Sequence, residues 1–466
     1  MSPPAASPPP GRRLVMVVNN AVSGDSRVQR CAAAAAGAGW DVTVLGRSSD
    51  SERHEQPGPA GSRVVLLPVT PLASAGGLRG RIAGHRRTHP RLRGRDAVAG
   101  HRSWPWRHGA WRILDPWLAD YELAIHAEIE TLRPDVIHVH DRHPVPAVAR
   151  SVAALRAAGH PVSWLIDAHE DVVATADRGI GGIRGWARRR MVGGALGEWI
   201  GEADAVVTVS AELAETLRSR HGLAAAPTVV QNAPLPPDTA GPVGTGCDET
   251  GPAAAEVEAP IGLRERLALE ADTPLLTYVG VCAPARGVQT AIDALPVLDS
   301  FRGRSDTHLA VVASPGDPHV AALLDHARSL GLGARVHRVD YVPADQVIDL
   351  IRSADLGLVP LLHRPNHEIA LVTKYLEYLH AGLPVVCSDV RTMARFTQEH
   401  GVGEVFPAGD ANALAATVHR MLPRLVEYRN GIAASSAVAE TAWPAQAQRL
   451  LRVYEQIAPA AEQEPA

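Results

Sequence analysis

The chain has 466 residues, of which 46% are hydrophobic and 21% are charged, proportions typical of soluble globular proteins. This length and composition exclude a single small module and a wholly disordered chain, and they predict two or three domains. The formal net charge of −4 excludes a chain-wide basic field that would hold nucleic acid, so no nucleic-acid partner is expected.

The first half of the chain alternates apolar strand patterns with helical patterns. An apolar run at 14–19 is followed by a turn at 24–26, a helical pattern at 27–36 and a strand pattern at 42–45. Further strands are predicted at 135–139, 162–166 and 205–209, with helices at 144–158 and up to residue 220. Repeated strand–helix–strand units favour a parallel sheet.

The second half repeats this alternation after a segment rich in proline and glycine. Residues 233–260 have few large apolar residues and predict a linker. Strands are predicted at 275–281, 309–313, 336–339, 356–359 and 384–388, and helices up to residue 298 and at 320–330, 374–380 and 411–422. The predicted domains are 12–232 and 261–440, with tails at 1–11 and 459–466. The fold class is α/β with two doubly wound Rossmann-like domains, whose ligands bind beyond the carboxyl ends of the strands.

Residues 79–112 interrupt this alternation. The segment begins at Arg79, ends at Arg112 and contains ten arginines, three tryptophans and one acidic residue. Arginine gains about 1 kcal/mol near an anionic leaflet and tryptophan prefers the interface, so the segment predicts contact with an anionic membrane surface. A solvated insertion without a ligand is the alternative.

The sequence also bears on localisation. Four widely spaced cysteines, no secretory leader and no long apolar stretch predict a cytoplasmic protein, peripheral at the inner membrane leaflet.

Lys374 is the only lysine of the chain, beside 45 arginines, and it stands at the predicted start of a helix. Glu377 lies three residues later and therefore shares a face of that helix. The N–H groups of a helix start together with an ammonium suit a diphosphate, and a carboxylate one turn later suits a pair of ribose hydroxyls. An ordinary surface ion pair is the alternative. We favour a nucleotide site.

Short motifs along the chain resemble, in order and spacing, the retaining glycosyltransferases of the GT-B fold, family four. These motifs are GDSRVQRCAAAAAGAGWDVTVL, DVIHVHD, LIDAHE, ADAVVTVS, VVQNAP, YVGV followed by ARGV, ADLGLVPL, TKYLEYLHAGLPVVCSD and AWPAQAQRLLRVYEQI. The resemblance covers nearly the whole chain and implies two domains facing across a cleft. It implies a UDP- or GDP-type nucleotide sugar as co-substrate, no required cofactor or metal, and a glycan, glycoside or lipid-linked acceptor. It also implies that a last helix at 441–458 packs on the N-terminal domain.

In the first domain, the resemblance implies that His169 faces the reacting sugar. The histidine is expected to position an oxocarbenium-like transition state and to stabilise it. Asp167 and Glu170 flank it and either orient the ring or cap the turn that follows.

Two loops after strands are expected to contact phosphate. Gly24, Asp25 and Arg27 fit an acceptor or donor-phosphate contact at a helix start; the alternative is that Asp25 merely caps the helix and Arg27 faces solvent. In the second domain, the resemblance places Arg286 where the family usually has a lysine against the diphosphate. The second arginine that the family often carries is replaced here by Val281.

The segment before the predicted nucleotide helix departs from the family in one position. The resemblance implies paired glutamates eight residues apart, of which the later matches Glu377, whereas the earlier position is Ile369 with Glu368 beside it. Val342 lies in the loop whose backbone is expected to contact the nucleobase. Backbone N–H groups expected at the diphosphate are those of Leu371, Val372 and Thr373.

Other functions stay open from the sequence alone. Histidines that alternate along a strand share a face and, with nearby carboxylates, fit a metal-dependent hydrolase. A fold that binds a nucleotide sugar without turnover is favoured by Val281 and Ile369. A sugar-nucleotide epimerase has the same fold. We expect a hexosyltransferase without a metal. The residues of the hydrolase alternative are His138, His140, Asp141, His143, Asp167 and His169.

Overall fold

The computed structural model describes residues 11–71, 117–176, 182–235, 261–314, 316–343 and 345–459. Residues 79–112 and most of the predicted linker at 233–260 lie outside these ranges, so what the sequence predicts for them stays a prediction. The chain divides into two compact units. Among the described residues, unit 1 comprises those up to 230 and those from 447 onward, and unit 2 comprises those from 231 to 446.

Unit 1 is an α/β unit around one eight-stranded sheet. Its strands are β1 (Arg13–Val17), β2 (Asp41–Arg47), β3 (His54–Pro57), β4 (Arg63–Leu67), β5 (Val136–His140), β6 (Ser163–Ala168), β7 (Ala205–Thr208) and β8 (Thr228–Val229). Its helices are α1 (Ser26–Gly37), α2 (Trp117–Leu132), α3 (Val145–Ala157), α4 (Val172–Thr175), α5 (Gly182–Gly197) and α6 (Ala211–His221).

The order of the strands in this sheet is β3-β4-β2-β1-β5-β6-β7-β8. All neighbours are parallel except β3 and β4, which form an antiparallel edge. The chain builds outward from β1 in one direction and from β5 in the other, so the strand order reverses between these two central strands. Both are almost fully buried, as expected of parallel strands covered by helices on both faces; β1 is apolar after Arg13, whereas β5 carries two buried histidines.

Unit 2 has a six-stranded parallel sheet in the order β11-β10-β9-β12-β13-β14. Its strands are β9 (Leu275–Val279), β10 (His308–Ala313), β11 (Val336–Asp340), β12 (Leu356–Val359), β13 (Val385–Ser388) and β14 (Gly403–Phe406). Its helices are α7 (Leu263–Arg266), α8 (Val288–Arg302), α9 (Val320–Ser329), α10 (Val347–Ile351), α11 (Pro365–Glu368), α12 (Thr373–His380), α13 (Arg391–His400), α14 (Ala411–Met421), α15 (Leu425–Ala434) and α16 (Ala437–Glu440).

The last helix is α17 (Trp443–Ile457), and its residues from 447 onward belong to unit 1. There Tyr454 is fully buried with its ring edge on Trp40, the ring centroids being 5.8 Å apart. Arg12 donates a hydrogen bond of 2.9 Å to the backbone carbonyl of Pro459. The end of the chain is therefore part of the core of unit 1.

Two doubly wound α/β units confirm the predicted fold class. The core of unit 2 packs β9, β10 and β12 against α8 and α14. Within the described residues, no helix combines the length and apolar character needed to cross a membrane. The sequence patterns did not predict several elements, among them the edge strand β3, its neighbour β4, the helices α2 and α13, the arginine-rich helix α5 and the strand β14.

Candidate functional site

In both units the chemically interesting side chains lie where the strand order reverses. In a doubly wound sheet the loops on the two sides of this point diverge and leave a crevice at the carboxyl ends of the strands. In unit 1 the point lies between β1 and β5, and in unit 2 it lies between β9 and β12. Each unit therefore contributes its own group of candidate residues.

The group in unit 1 is a buried histidine–carboxylate cluster centred on Asp167, at the end of β6. Arg27 of α1 donates from Nε and Nη2 to the two carboxylate oxygens, at 2.8 and 2.9 Å, and both side chains are almost fully buried. The guanidinium thus matches the carboxylate with two parallel hydrogen bonds. The other members of the cluster are His138, His140, Asp141, His169 and Tyr454.

Two histidines of β5 surround the same carboxylate. His138 and His140 alternate along the strand, so their rings lie on one face, with centroids 4.0 Å apart. A hydrogen bond of 2.7 Å joins His138 Nδ1 to the hydroxyl of Tyr454 from α17. Burial lowers the pKa of both histidines, which favours their neutral forms.

His169 lies between two carboxylates. Its Nε2 is 3.3 Å from Asp167 and its Nδ1 is 3.3 Å from Asp141, whose backbone has a left-handed φ of 61°. Burial alone would lower the pKa of His169, but the two carboxylates outweigh it and raise the pKa to about 10. Near neutral pH the ring therefore carries a positive charge, and with Arg27 it balances the two negative charges.

This charge balance bears on the metal alternative. His138, His140 and Asp167 place ligand atoms within 4.8 Å of one another, as a metal site requires. Arg27, however, already donates two hydrogen bonds to Asp167, and a metal ion there would lie against a buried guanidinium. The geometry favours an ion-pair network at this position over a metal centre.

The remaining residues predicted in unit 1 have simpler roles. Asp25 caps α1 by accepting a hydrogen bond from the backbone N–H of Val28, as one of the two alternatives anticipated. Gly24 is exposed in the loop before it. Glu170 is also exposed, and the turn after His169 is capped by Asp171 instead. Arg27 fits neither alternative, because it is buried and engaged with Asp167 rather than with a phosphate or with solvent.

In unit 2 the loop after β9 forms one wall of the candidate site and is shaped by two glycines. Gly280 has a φ of +120°, and a Cβ there would lie 2.9 Å from the ammonium nitrogen of Lys374. Gly287 has a φ of +70°, and a Cβ there would lie 1.8 Å from the carbonyl oxygen of Pro360. Both conformations strain any other residue, so the loop can approach Lys374 and Pro360 only with glycine at these positions.

Lys374 is buried at the start of α12, with its ammonium nitrogen 3.8 Å from the centroid of the Tyr278 ring. This is a cation–π contact. Burial and then the nearby positive charge of Arg286, against a smaller opposing effect of Glu377, lower the pKa of Lys374 to about 7. The lysine is not a surface ion pair, so that alternative is excluded. A buried ammonium beside a second cation is stabilised when an anion binds.

The other residues predicted in unit 2 surround this lysine. Val372 precedes α12 and offers no side-chain cap to the first N–H groups of the helix. The hydroxyl of Thr373 accepts a hydrogen bond of 3.1 Å from Asn232. Leu371 is buried in the preceding loop, Val342 is half-buried after β11, and Arg286 and Glu377 are half-buried. We call Tyr278, Gly280, Arg286, Lys374 and Glu377 the lysine site.

The structure also shows the surroundings of the residues that depart from the family pattern. Val281 is 55% exposed, so its position is open to solvent without a charge. Ile369 is buried, whereas Glu368 accepts hydrogen bonds from His363 and from the backbone N–H of Arg391. The carboxylate of Glu368 is thus occupied between α11 and α13.

Four residues with site contacts were not singled out from the sequence. Tyr278 follows an apolar run and reads as core, and Tyr454 lies in a helix far along the chain. Asn232 and Asp317 hold loops: Asp317 accepts a hydrogen bond of 2.7 Å from the backbone N–H of Cys282. A tyrosine two residues before Gly280 of the first loop is the one signal that could have pointed to Tyr278.

Known proteins match this chain in both sequence and fold. A family model described as Glycosyltransferase Family 4 matches residues 25–233, and one described as Glycosyl transferases group 1 matches residues 273–424. Sucrose-phosphate synthase from Thermosynechococcus elongatus superposes with a TM-score of 0.64 at 18% identity, covering 96% of this chain and 98% of its own. The fold is therefore that of the GT-B glycosyltransferases, and each half of the chain is similar in sequence to a glycosyltransferase family.

The individual curated relatives match this chain over only part of their length. Phosphatidyl-myo-inositol mannosyltransferase of Mycobacterium leprae is 32% identical over 181 residues, 38% of this chain and 44% of that protein. D-inositol 3-phosphate glycosyltransferase of Thermobispora bispora is 32% identical over 202 residues, 41% of this chain and 45% of that protein. The match thus spans less than half the length of these relatives. A trehalose-6-phosphate structure from E. coli, bound with UDP-2-fluoro glucose, superposes with a TM-score of 0.63 at 13% identity over 96% of this chain and all (100%) of its own.

Proposed function

We propose that this chain is a hexosyltransferase that uses a UDP- or GDP-hexose as donor. The acceptor is a hydroxyl of a lipid-linked, polysaccharide or small glycoside molecule, the anomeric configuration is retained, and no metal is required. The observation that carries the proposal is the buried ammonium of Lys374 at the start of α12, beside Arg286 and a loop that only glycine allows. Two cations at the start of a helix suit a diphosphate.

The lysine site accounts for departure of the nucleotide. In the transfer, the bond between the sugar C1 and the diphosphate oxygen breaks, a bond between C1 and the acceptor oxygen forms, and the acceptor proton passes to the diphosphate. Negative charge grows on the departing phosphate, where Lys374, Arg286 and the N–H groups of α12 stabilise it. These groups take the place that a divalent cation has in other phosphate sites.

The histidine–carboxylate cluster accounts for sugar positioning. His169 already carries its proton near neutral pH, so it does not act as a general base, and retention without a base on the protein is consistent with this. A positive ring also does not stabilise a positive sugar by its charge. We therefore assign His169 a positioning role. The negative charge that stabilises the positive sugar is assigned to Asp141, whose side chain is 38% exposed.

The relatives narrow the choice of acceptor for a first test. Two of them are named for inositol-containing acceptors, a phosphatidyl-myo-inositol and a D-inositol 3-phosphate. Inositol phosphate and phosphatidylinositol vesicles are therefore the first acceptors to offer, and UDP- and GDP-hexoses the first donors.

Nucleotide-dependent thermal stabilisation tests the donor site. We expect UDP or GDP at about a hundredfold excess over Kd to stabilise the protein by ~2.7 kcal/mol, with no change on adding EDTA. Glu377→Ala is expected to weaken this effect, whereas Glu399→Ala, an exposed glutamate of α13, is the matched control and leaves it intact. Stabilisation by no nucleotide, together with loss of stability in EDTA, would instead support the metal alternative.

A second candidate is a protein that binds the nucleotide sugar without turning it over. It is favoured by the uncharged, exposed Val281 and by the occupied carboxylate of Glu368. The two candidates differ in turnover: release of nucleoside diphosphate from the donor, even slowly and to water, excludes the silent binding protein.

A further inference from the structure

Helix α5 of unit 1 exposes two large apolar side chains to solvent. Ile183 is 84% exposed and Trp186 is 56% exposed. They are three residues apart, so they lie side by side on one face of the helix. The opposite face, with Gly185, Val192 and Leu196, is buried where the helix packs on α3 and α4. The exposed apolar pair therefore makes no contribution to the core.

The same helix is strongly basic. Residues 182–197 contain four arginines and no acidic residue, although the whole chain has a net charge of −4. The guanidinium of Arg190 lies 5.6 Å from the Trp186 ring centroid, on the exposed face. Arg184 and Arg189 lie to the two sides of that face by helical spacing. An apolar ridge bordered by cations is the pattern of helices that lie in a membrane interface.

A cavity of about 570 Å³ opens beside the tryptophan. Its lining includes Arg189, Arg190, Arg220 and His221, against one acidic residue, Glu198. Arg220 is paired with Asp171, and the exposed side chain of Arg190 brings positive charge from α5 to the cavity. The cavity has the size and charge for the phosphate and part of the headgroup of an anionic lipid.

The position of α5 in the fold connects this surface to the histidine–carboxylate cluster. The helix lies in the crossover between the parallel strands β6 and β7 and packs on α4, which follows β6 at the carboxyl edge of the sheet. His169 lies in the short segment between β6 and α4. Helix α5 therefore packs on the element that directly follows the cluster.

We propose that α5 docks unit 1 on an anionic phospholipid bilayer. Ile183 and Trp186 enter the interface, and the arginines of α5 with the adjacent cavity bind lipid phosphates. The residues of this surface are not part of the basic segment 79–112, and the proposal does not depend on the proposed transferase activity.

Co-sedimentation of the full chain with vesicles tests the proposal. The vesicles are phosphatidylcholine alone or with about 30% phosphatidylglycerol. We expect binding to the anionic vesicles that weakens with salt, and a loss of about tenfold or more in Ile183→Ser/Trp186→Ser. Arg184→Gln/Arg190→Gln is expected to lose about fivefold for each arginine. Val426→Ser and Arg395→Gln change an exposed apolar residue and an exposed arginine of unit 2, and are expected to bind as the wild type does.

Three results would overturn the proposal. The first is no binding of the wild type to anionic vesicles. The second is equal binding of the wild type and both double variants, which would place the membrane surface elsewhere in the chain. The third is self-association that Ile183→Ser/Trp186→Ser abolishes while vesicle binding is absent, because the face would then join two copies. Unchanged unfolding midpoints verify that the variants are folded, as expected for exposed positions.

Discussion

Replacing Lys374 with methionine is expected to stabilise the free protein while abolishing its nucleotide site. Methionine keeps the length of the side chain and its contact with Tyr278 but removes the buried charge. The pKa falls from an ordinary value of 10.5 to about 7, a difference of about 3.5. At about 1.4 kcal/mol for each unit of pKa, the upper bound on the cost of the charge is ~5 kcal/mol.

Two effects reduce this bound. Local relaxation and water lower the cost of a buried charge, and the cation–π contact that methionine loses is worth about 1 kcal/mol. We therefore expect Lys374→Met to raise the free energy of unfolding by about 2 kcal/mol at pH 6.

The dependence on pH has a definite sign. The pKa of Lys374 is lower in the folded than in the unfolded state, so the cost is full below pH 7 and disappears as the pH rises toward 10.5. The advantage of Lys374→Met is thus largest at pH 6 and smaller at pH 9.

Urea unfolding at pH 6 and pH 9 measures this difference, and hydrogen exchange of the peptides around β9 reports on unit 2 separately. Arg395→Met, which removes an exposed arginine of α13, is the control and is expected to show no gain that depends on pH. Destabilisation by Lys374→Met at pH 6 would contradict this expectation, because the lysine would then stabilise the free protein instead of carrying the cost of a buried charge.

Three further predictions follow from particular contacts. Nucleoside-diphosphate affinity measured by calorimetry falls above pH 7, by up to about tenfold per pH unit, because Lys374 must take up a proton to pair with the phosphates; a flat profile contradicts this. Asp167→Asn lowers the free energy of unfolding by about 3–5 kcal/mol because Arg27 stays buried without its partner, and adding Arg27→Met recovers part of the loss in urea unfolding. Gly287→Ala destabilises by about 2 kcal/mol or more, whereas Gly303→Ala, with a similar φ of +66° but open space around it, costs less.

Much of the fold could be predicted because buried parallel strands read as apolar runs. The prediction of a strand at 14–19 corresponds to β1, and the prediction at 356–359 matches β12. Helix α5 was missed because glycines and consecutive arginines hide its periodicity, and only the packing of Val192 and Leu196 on unit 1 stabilises it. The edge strand β3 was missed because it has no apolar alternation.

Part of the candidate site could be predicted because one residue stands out from the composition of the chain. Lys374 stood out because a chain that uses arginine almost everywhere keeps one lysine at a helix start. The partner of Arg27 could not be predicted, because its ion pair joins residues 140 positions apart. The hydrogen bond between His138 and Tyr454 spans 316 positions. The charge on His169 likewise depends on Asp141 and Asp167 meeting around it in three dimensions.

The central claim is that the lysine site holds the diphosphate of a sugar donor during transfer. Its most direct test is the rate of UDP or GDP release from a panel of UDP- and GDP-hexoses, with inositol phosphate as acceptor, for the wild type and for Lys374→Met. We expect the wild type to release the nucleoside diphosphate from one class of donor. We expect the release rate of Lys374→Met to be lower by about a hundredfold or more, although this variant is more stable than the wild type. Equal rates in the two proteins would contradict it.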